Sequence, residues 1–258
     1  METFADLVRA LDTNTKTNAK VAALADYFRS ASDADKVWTI AILSHRRPPR
    51  PVNTRLLREW AAELAGIKPW LFDESYHIVG DLAETIALIV PPDPNSEIPL
   101  LTLSGYLNAF AGLKQQPEAQ KKAYVLKHWP GMSYYQRFVF TKLFTGGFRI
   151  GISQKLMTRA LSQATGIEEE TLAYRLMGNW DPVSVSFKEL VLEPQLEEQF
   201  SKPYPFYLAY PLEVAPEDLG APSQWVMEHK WDGIRAQLIC RNKTLFIWSR
   251  AEELFTEQ

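Results

Sequence analysis

From residue 1 to about 195, apolar positions recur at three- and four-residue intervals, the spacing that lines one face of an α-helix. In NTRLLREWAAELAG, Leu56, Leu57, Trp60, Ala61 and Leu64 fall on one stripe, with Asn53 or Thr54 placed to cap its start and Gly66 just past its end. The same signature predicts helices in GDLAETIALIV, in LLTLSGYLNAFAGL, in PEAQKKAYVLKHW with Pro117 in the first turn, and in SYYQRFVFTKLF with Ser133 as cap. PPDPNSEIP at 91–99 and WPGM at 129–132 break the pattern as a loop and a turn. Roughly six to ten packed helices are expected, with Trp38, Trp60 and Trp70 in the core.

The texture changes after about residue 196. FSKPYPFYLAYPLEVAPEDLGAPSQ carries five prolines and reads as an extended linker. WVMEHK, IRAQLIC and TLFIW then read as strands, with RNK at 241–243 turning between the last two. The expected fold class is mainly α: a multi-helix domain over 1–195, then, over 196–258, a linker and the first β-strands of an α+β domain. Two or three strands are too few to bury a face, so that second domain is expected to be incomplete and the chain to be a truncated N-terminal piece.

Composition narrows the class. At 258 residues, 46% hydrophobic and 23% charged, the chain has a globular balance. Its single cysteine, Cys240, forbids an internal disulfide, and its start, with charges scattered through it and no apolar core, is not expected to be a secretory leader. No apolar run approaches the roughly 20 residues that cross a bilayer, so a soluble cytoplasmic protein without membrane contact is expected. Four unclustered histidines and one cysteine give no reason to expect a metal site within this chain.

A net charge of -3 argues mildly against a polyanionic partner, but the charges are segregated. Acids collect in SASDAD, IEEE and LEPQLEEQ; bases collect in SHRRPPRPVNTRLLR, KQQPEAQKKAYVLKH and around GGFRIGISQKLMTR. A one-sided phosphate-facing surface and ordinary solvated helix faces both fit these runs, and SHRRPPRP at 44–51 reads equally as a DNA-backbone contact or a rigid proline-ordered loop. GGFRIGISQKLMTRALSQ is more specific. Gly146, Gly147 and Gly151 leave backbone N–H groups unshielded, Ser153 is placed to cap a helix running to Gln163, and Arg149, Lys155 and Arg159 add charge. Such contacts carry no base-sequence information.

EHKWDGIR at 228–235 combines a nucleophile with groups that would activate it. A lysine amine attacks only after losing its proton, which burial and nearby positive charge promote. Trp225, Trp231 and Ile234 are candidate walls around Lys230; Asp232-Gly233 is a candidate turn; Arg235 is placed to brace a phosphate.

EHKWDGIR resembles the nucleotidyl-transfer motif shared by ATP-dependent DNA ligases, RNA ligases and messenger-RNA capping enzymes. WSRAEE at 248–253 resembles the serine-arginine motif that follows it. GGFRIGISQKLMTRALSQATG, YHIVGDLAETIALIV and LSHRRPPRPVNTRLLREWAAELAG resemble the helical DNA-binding domain of bacterial ATP-dependent DNA ligases, which the other two branches lack. The resemblance implies that Lys230 receives AMP, that the carboxyl or adjacent backbone of Glu228 reads the adenine amino group, that Asp232 and Gly233 shape the turn, that Arg235 lies near ribose and phosphate, and that Arg250 steadies the transferred phosphate or the 5′-phosphate of the nick. It further implies ATP and Mg²⁺ as cofactors and nicked duplex DNA as partner, in repair, replication or recombination, by a nucleoid-associated monomer. The family's later motifs, with their metal-binding carboxylates, have no counterpart here, so this chain is not expected to seal DNA alone. The alternative is a non-catalytic nick- or duplex-binding module; an RNA-directed nucleotidyltransferase is a third reading.

Overall fold

The computed structural model describes residues 1–44, 46, 48, 50–96, 98, 101–148, 151–177, 180–193, 203–206, 211–241 and 243–250. Among these, eleven α-helices precede one β-hairpin, one helix more than the upper expectation. They are α1 (Glu2–Thr13), α2 (Thr17–Ser30), α3 (Asp33–Leu43), α4 (Thr54–Leu64), α5 (Pro69–Val79), α6 (Leu82–Ile89), α7 (Leu103–Leu113), α8 (Glu118–His128), α9 (Tyr134–Thr145), α10 (Gln154–Thr165) and α11 (Glu169–Arg175).

Local chemistry sets their ends. The Asn53 side chain accepts the Leu56 amide at 2.9 Å, and Gly66 takes a left-handed φ of 65° just past α4. Ser133 and Gln136 form a reciprocal capping box on α9. Leu56, Leu57, Trp60 and Ala61 are buried, while Leu64 is only half covered. Trp38 is buried too, but Trp70 is not: it is 62% exposed on α5, whose only buried residue is Phe72. α5 therefore makes a shallow contact, and the expectation of a core Trp70 fails there.

Two sets of helices share the interior. α6 and α1 pack on α9, while α2 and α11 pack on α10, and α1 also touches α2. Because α9 and α10 are consecutive, the loop between them lies where the two sets meet. The centre is aromatic: the Phe110 ring sits 4.2 Å from Phe144 and 5.5 Å edge-on from Phe140. Buried Trp129 donates from Nε1 to Thr141 Oγ1 at 3.0 Å. Buried Arg137 lies inside this layer and serves only backbone carbonyls.

His128 stacks on Phe140 with ring centres 5.6 Å apart, its Nδ1 2.7 Å from the Tyr124 carbonyl oxygen. Its Nε2 and the Tyr124 hydroxyl are buried without a hydrogen-bond partner among the described residues. Burial holds the imidazole below its ordinary pKa and pushes the Tyr124 phenol up to about 12. Below about pH 6.5 the unfolded chain binds a proton that folded His128 refuses, so stability falls as pH drops beneath that value. The expected slope is at most about 1.4 kcal/mol per pH unit, and urea titrations across pH should show His128→Phe flattening it.

The expected strand over WVMEHK does not form: residues 225–230 make no ladder, and Val226 and Met227 are 91% and 99% exposed. The other two expected strands pair as an antiparallel hairpin, β1 (Ala236–Arg241) with β2 (Thr244–Ser249), in the register Ala236↔Ser249 to Arg241↔Thr244. Lys243, with φ 64°, supplies the left-handed residue of its tight turn. The proline-rich run ahead of it includes 3-10 turns at Pro216–Leu219 and Pro222–Gln224.

Tyr204 joins hairpin and helices. Its amide donates to Gln237 Oε1 at 2.9 Å, and Gln237 Nε2 donates back to its carbonyl at 2.6 Å. The Tyr204 ring lies 6.2 Å from that of Tyr174 on α11 and 5.1 Å from the Arg241 guanidinium.

Candidate functional site

The loop from α9 to α10 is held open by its glycines. Gly146, Gly147 and Gly151 adopt φ of 74°, 73° and 64°, a region side chains disfavour. The space left by their missing side chains is used by cations from other parts of the chain. The Arg50 guanidinium lies where a Gly146 Cβ would go, and the Lys20 Nζ stands 3.5 Å from where a Gly151 Cβ would be.

The loop's two ends are fixed differently. At the start, the Lys142 ammonium pairs with the Asp81 carboxylate and donates to the Gly147 carbonyl at 3.3 Å. Asp81 is itself the cap of α6, accepting the Ala83 and Glu84 amides at 3.0 and 3.1 Å. At the far end Ser153 caps α10, accepting the Leu156 amide at 3.2 Å, and Gly166 closes that helix in the left-handed region.

The first turn of α10 contains no acid, and Lys155 is exposed in it. A cation at the positive end of a helix costs stability unless an anion sits there. The amides of Gln154 and Lys155 have no acceptor within the helix. Lys155 and Arg159 stand four residues apart on one face, and Arg159 donates to Asn18 Oδ1 at 3.1 Å, fixing that face against α2. Gly146, Gly147, Gly151, Ser153, Lys155 and Arg159 thus lie on the described parts of the loop and on the first half of α10, with two cations on one helix face; Arg149 lies outside the described residues.

Arg50, Lys20, Asn18, Asp81 and Lys142 belong to this site without having been singled out for it from the sequence. Only Arg50 lay in a run already weighed as a phosphate contact, and only Lys142, one turn before a double glycine, left a local signal.

The EHKWDGIR segment is arranged otherwise. Glu228, Lys230, Asp232, Gly233 and Arg235 all lie on an exposed extended stretch bent at Gly233, whose φ is not left-handed. Trp225, Trp231 and Ile234 are 55%, 81% and 83% exposed, so these candidate walls do not enclose Lys230. The Trp225 indole instead donates to the Leu219 carbonyl at 2.6 Å. The two resembling motifs do meet: the Arg250 amide donates to the Arg235 carbonyl at 3.0 Å, extending the hairpin by one rung. As described, these residues do not close a pocket that fits ATP, and among the described residues no cluster of His, Cys, Asp or Glu would hold a metal ion.

A family model for the DNA ligase N terminus matches residues 1–162, which take in the helical layers, the glycine loop and most of α10. The chain belongs to the DNA ligase family. It is also 25% identical, over 270 residues, to a probable DNA ligase of Koribacter versatilis (strain Ellin345). That match takes in all of this chain and 46% of the relative, so the chain spans about half the length of that ligase. The resemblance read from EHKWDGIR, WSRAEE and the glycine segment, to the N-terminal region of an ATP-dependent DNA ligase, therefore stands. Among the described residues, no helix of this ligase chain is long and apolar enough to cross a membrane.

Proposed function

We propose that residues 1–195 are the DNA-gripping part of an ATP-dependent ligase acting on nicked duplex DNA in repair, replication or recombination. Residues 196–258 would open its nucleotidyltransferase part. The observation that carries the reading is the start of α10 after the glycine loop, where an acid-free first turn, Lys155 and Arg159 lie together on a matched ligase region. Phosphate contacts of this kind position a protein on any sequence, as nick sealing requires.

In this reading Lys230 is the amine that takes AMP from ATP with Mg²⁺; Glu228 reads adenine, Asp232 and Gly233 shape the approach, and Arg235 and Arg250 hold the nucleotide's ribose and phosphate. The meeting of Arg235 and Arg250 at the end of the hairpin supports this grouping. The openness of 225–235 supports a second reading for the chain by itself, a non-catalytic duplex-binding module.

Incubation with labelled ATP and Mg²⁺ separates the two. Covalent label that vanishes in Lys230→Ala supports nucleotidyl transfer, whereas no label together with salt-sensitive binding to a nicked duplex supports the module. If about six phosphates are neutralised, affinity should fall roughly a thousandfold between low and moderate salt. Binding that ignores salt and prefers RNA over nicked DNA would overturn both readings.

A further inference from the structure

The end of α9, the glycines that follow it and the start of α4 border an open cavity of about 360 Å³. Arg50, Thr54, Arg58, Lys142, Gly146 and Gly147 line it, with Asp81 beside Lys142. Its cations are not equally committed. Lys142 faces Asp81 and the Gly147 carbonyl, and Arg58 pairs with Asp73 from α5, its guanidinium 5.4 Å from the Tyr76 ring. Arg50 is exposed, and among the described residues no acid is paired with it. One guanidinium thus stands uncompensated at the rim, beside the Thr54 hydroxyl and the opening turn of α4.

A guanidinium presents parallel N–H donors that match two oxygens of a phosphate, and here a hydroxyl and a second guanidinium share the same cavity. Gly146 is the neighbour that gives Arg50 room, since any side chain there would collide with it. We propose that this cavity is a second phosphodiester subsite on the duplex, with Arg50 as its principal contact, reached across the same glycine loop that leads to α10. The inference rests on the DNA-binding reading and extends the contact surface onto α4 and the segment before it.

The test is equilibrium binding of a labelled nicked duplex to the full chain over a range of salt. Arg50→Ala should weaken binding equally on unrelated sequences and reduce the magnitude of the log–log salt slope by about one. Its thermal unfolding should match the parent's, because the side chain is exposed and pairs with no acid among the described residues. Arg50→Lys should restore the slope while recovering only part of the affinity, since a point charge replaces a fork. Parental affinity and slope in Arg50→Ala, alongside losses in Lys155→Ala, would overturn the subsite and leave the DNA-binding reading intact. Parental behaviour in both variants would remove that reading as well. Inorganic pyrophosphate at matched ionic strength should displace the duplex no better than chloride; Arg50-dependent pyrophosphate binding with an unchanged DNA slope would reassign the cavity to a free anion.

Discussion

Arg137→Met is expected to lower the free energy of unfolding by about 3–5 kcal/mol. Arg137 is 3% exposed and pairs with no carboxylate among the described residues; its guanidinium donors reach the carbonyls of Trp129 at 2.7 Å, Met132 at 3.0 Å, Ala87 at 3.1 Å and Val90. Ala87 and Val90 belong to the last turn of α6, where carbonyls lack helical partners and the dipole favours a cation. Trp129 and Met132 belong to the WPGM turn. One side chain therefore joins a helix end, a turn and α9, and burial holds its pKa below the usual arginine value. Methionine keeps an unbranched apolar stem and meets none of those carbonyls. Arg137→Lys should recover only part of the loss, since a point charge cannot reach oxygens spread in a plane. Urea unfolding should show a lower midpoint at unchanged slope; a loss under about 1 kcal/mol would mean that the carbonyls find other donors.

Asp81→Ala is expected to cost about 3 kcal/mol, because it removes two things together. The cap of α6 goes, and the Lys142 ammonium, whose side chain is 8% exposed, is left beside the Gly147 carbonyl without its carboxylate. Asp81→Asn separates the contributions: asparagine caps as well as aspartate, so only the charge is lost. Lys142→Met removes the buried ammonium instead, leaves Asp81 partly exposed and still capping, and should cost least, about 1 kcal/mol. That order, read by urea denaturation, is the check; equal losses in all three variants would show that the ion pair alone matters, since Asp81→Asn and Lys142→Met both keep the cap. Since Lys142 also holds Gly147, its replacement should weaken duplex binding even where stability survives.

The helical half was legible because its determinants are local. Asn53, Ser133 and Ser153 each cap through an amide three residues on, and Gly66 and Gly166 stop helices by their own φ. Burial was less legible. Trp70 falls on an apolar spacing, yet most of it stays exposed on α5. Arg137 and Lys142 read as the polar face of α9, and only distant segments, the end of α6 and Asp81, reveal them as buried. The strand over WVMEHK failed because a ladder needs a partner, and none of the described residues pairs with it. For the site, the glycine loop and α10 could be read directly, whereas Arg50 and Lys20 reach it from segments remote in the chain. The walls around Lys230 were inferred from residue type alone, and type does not fix where an exposed stretch turns its rings.

The exchange between Tyr204 and Gln237 has a mechanical corollary. Lys230 rides on an excursion whose two feet are tied together by a side-chain amide beside β1, so the span between them can change length without shifting the strand that follows. Doubling a flexible loop costs only about 0.6 kcal/mol. Insertions ahead of Trp225 should therefore be tolerated, and a protease should nick this arc while the hairpin and helices stay clasped through Tyr174 and Arg241.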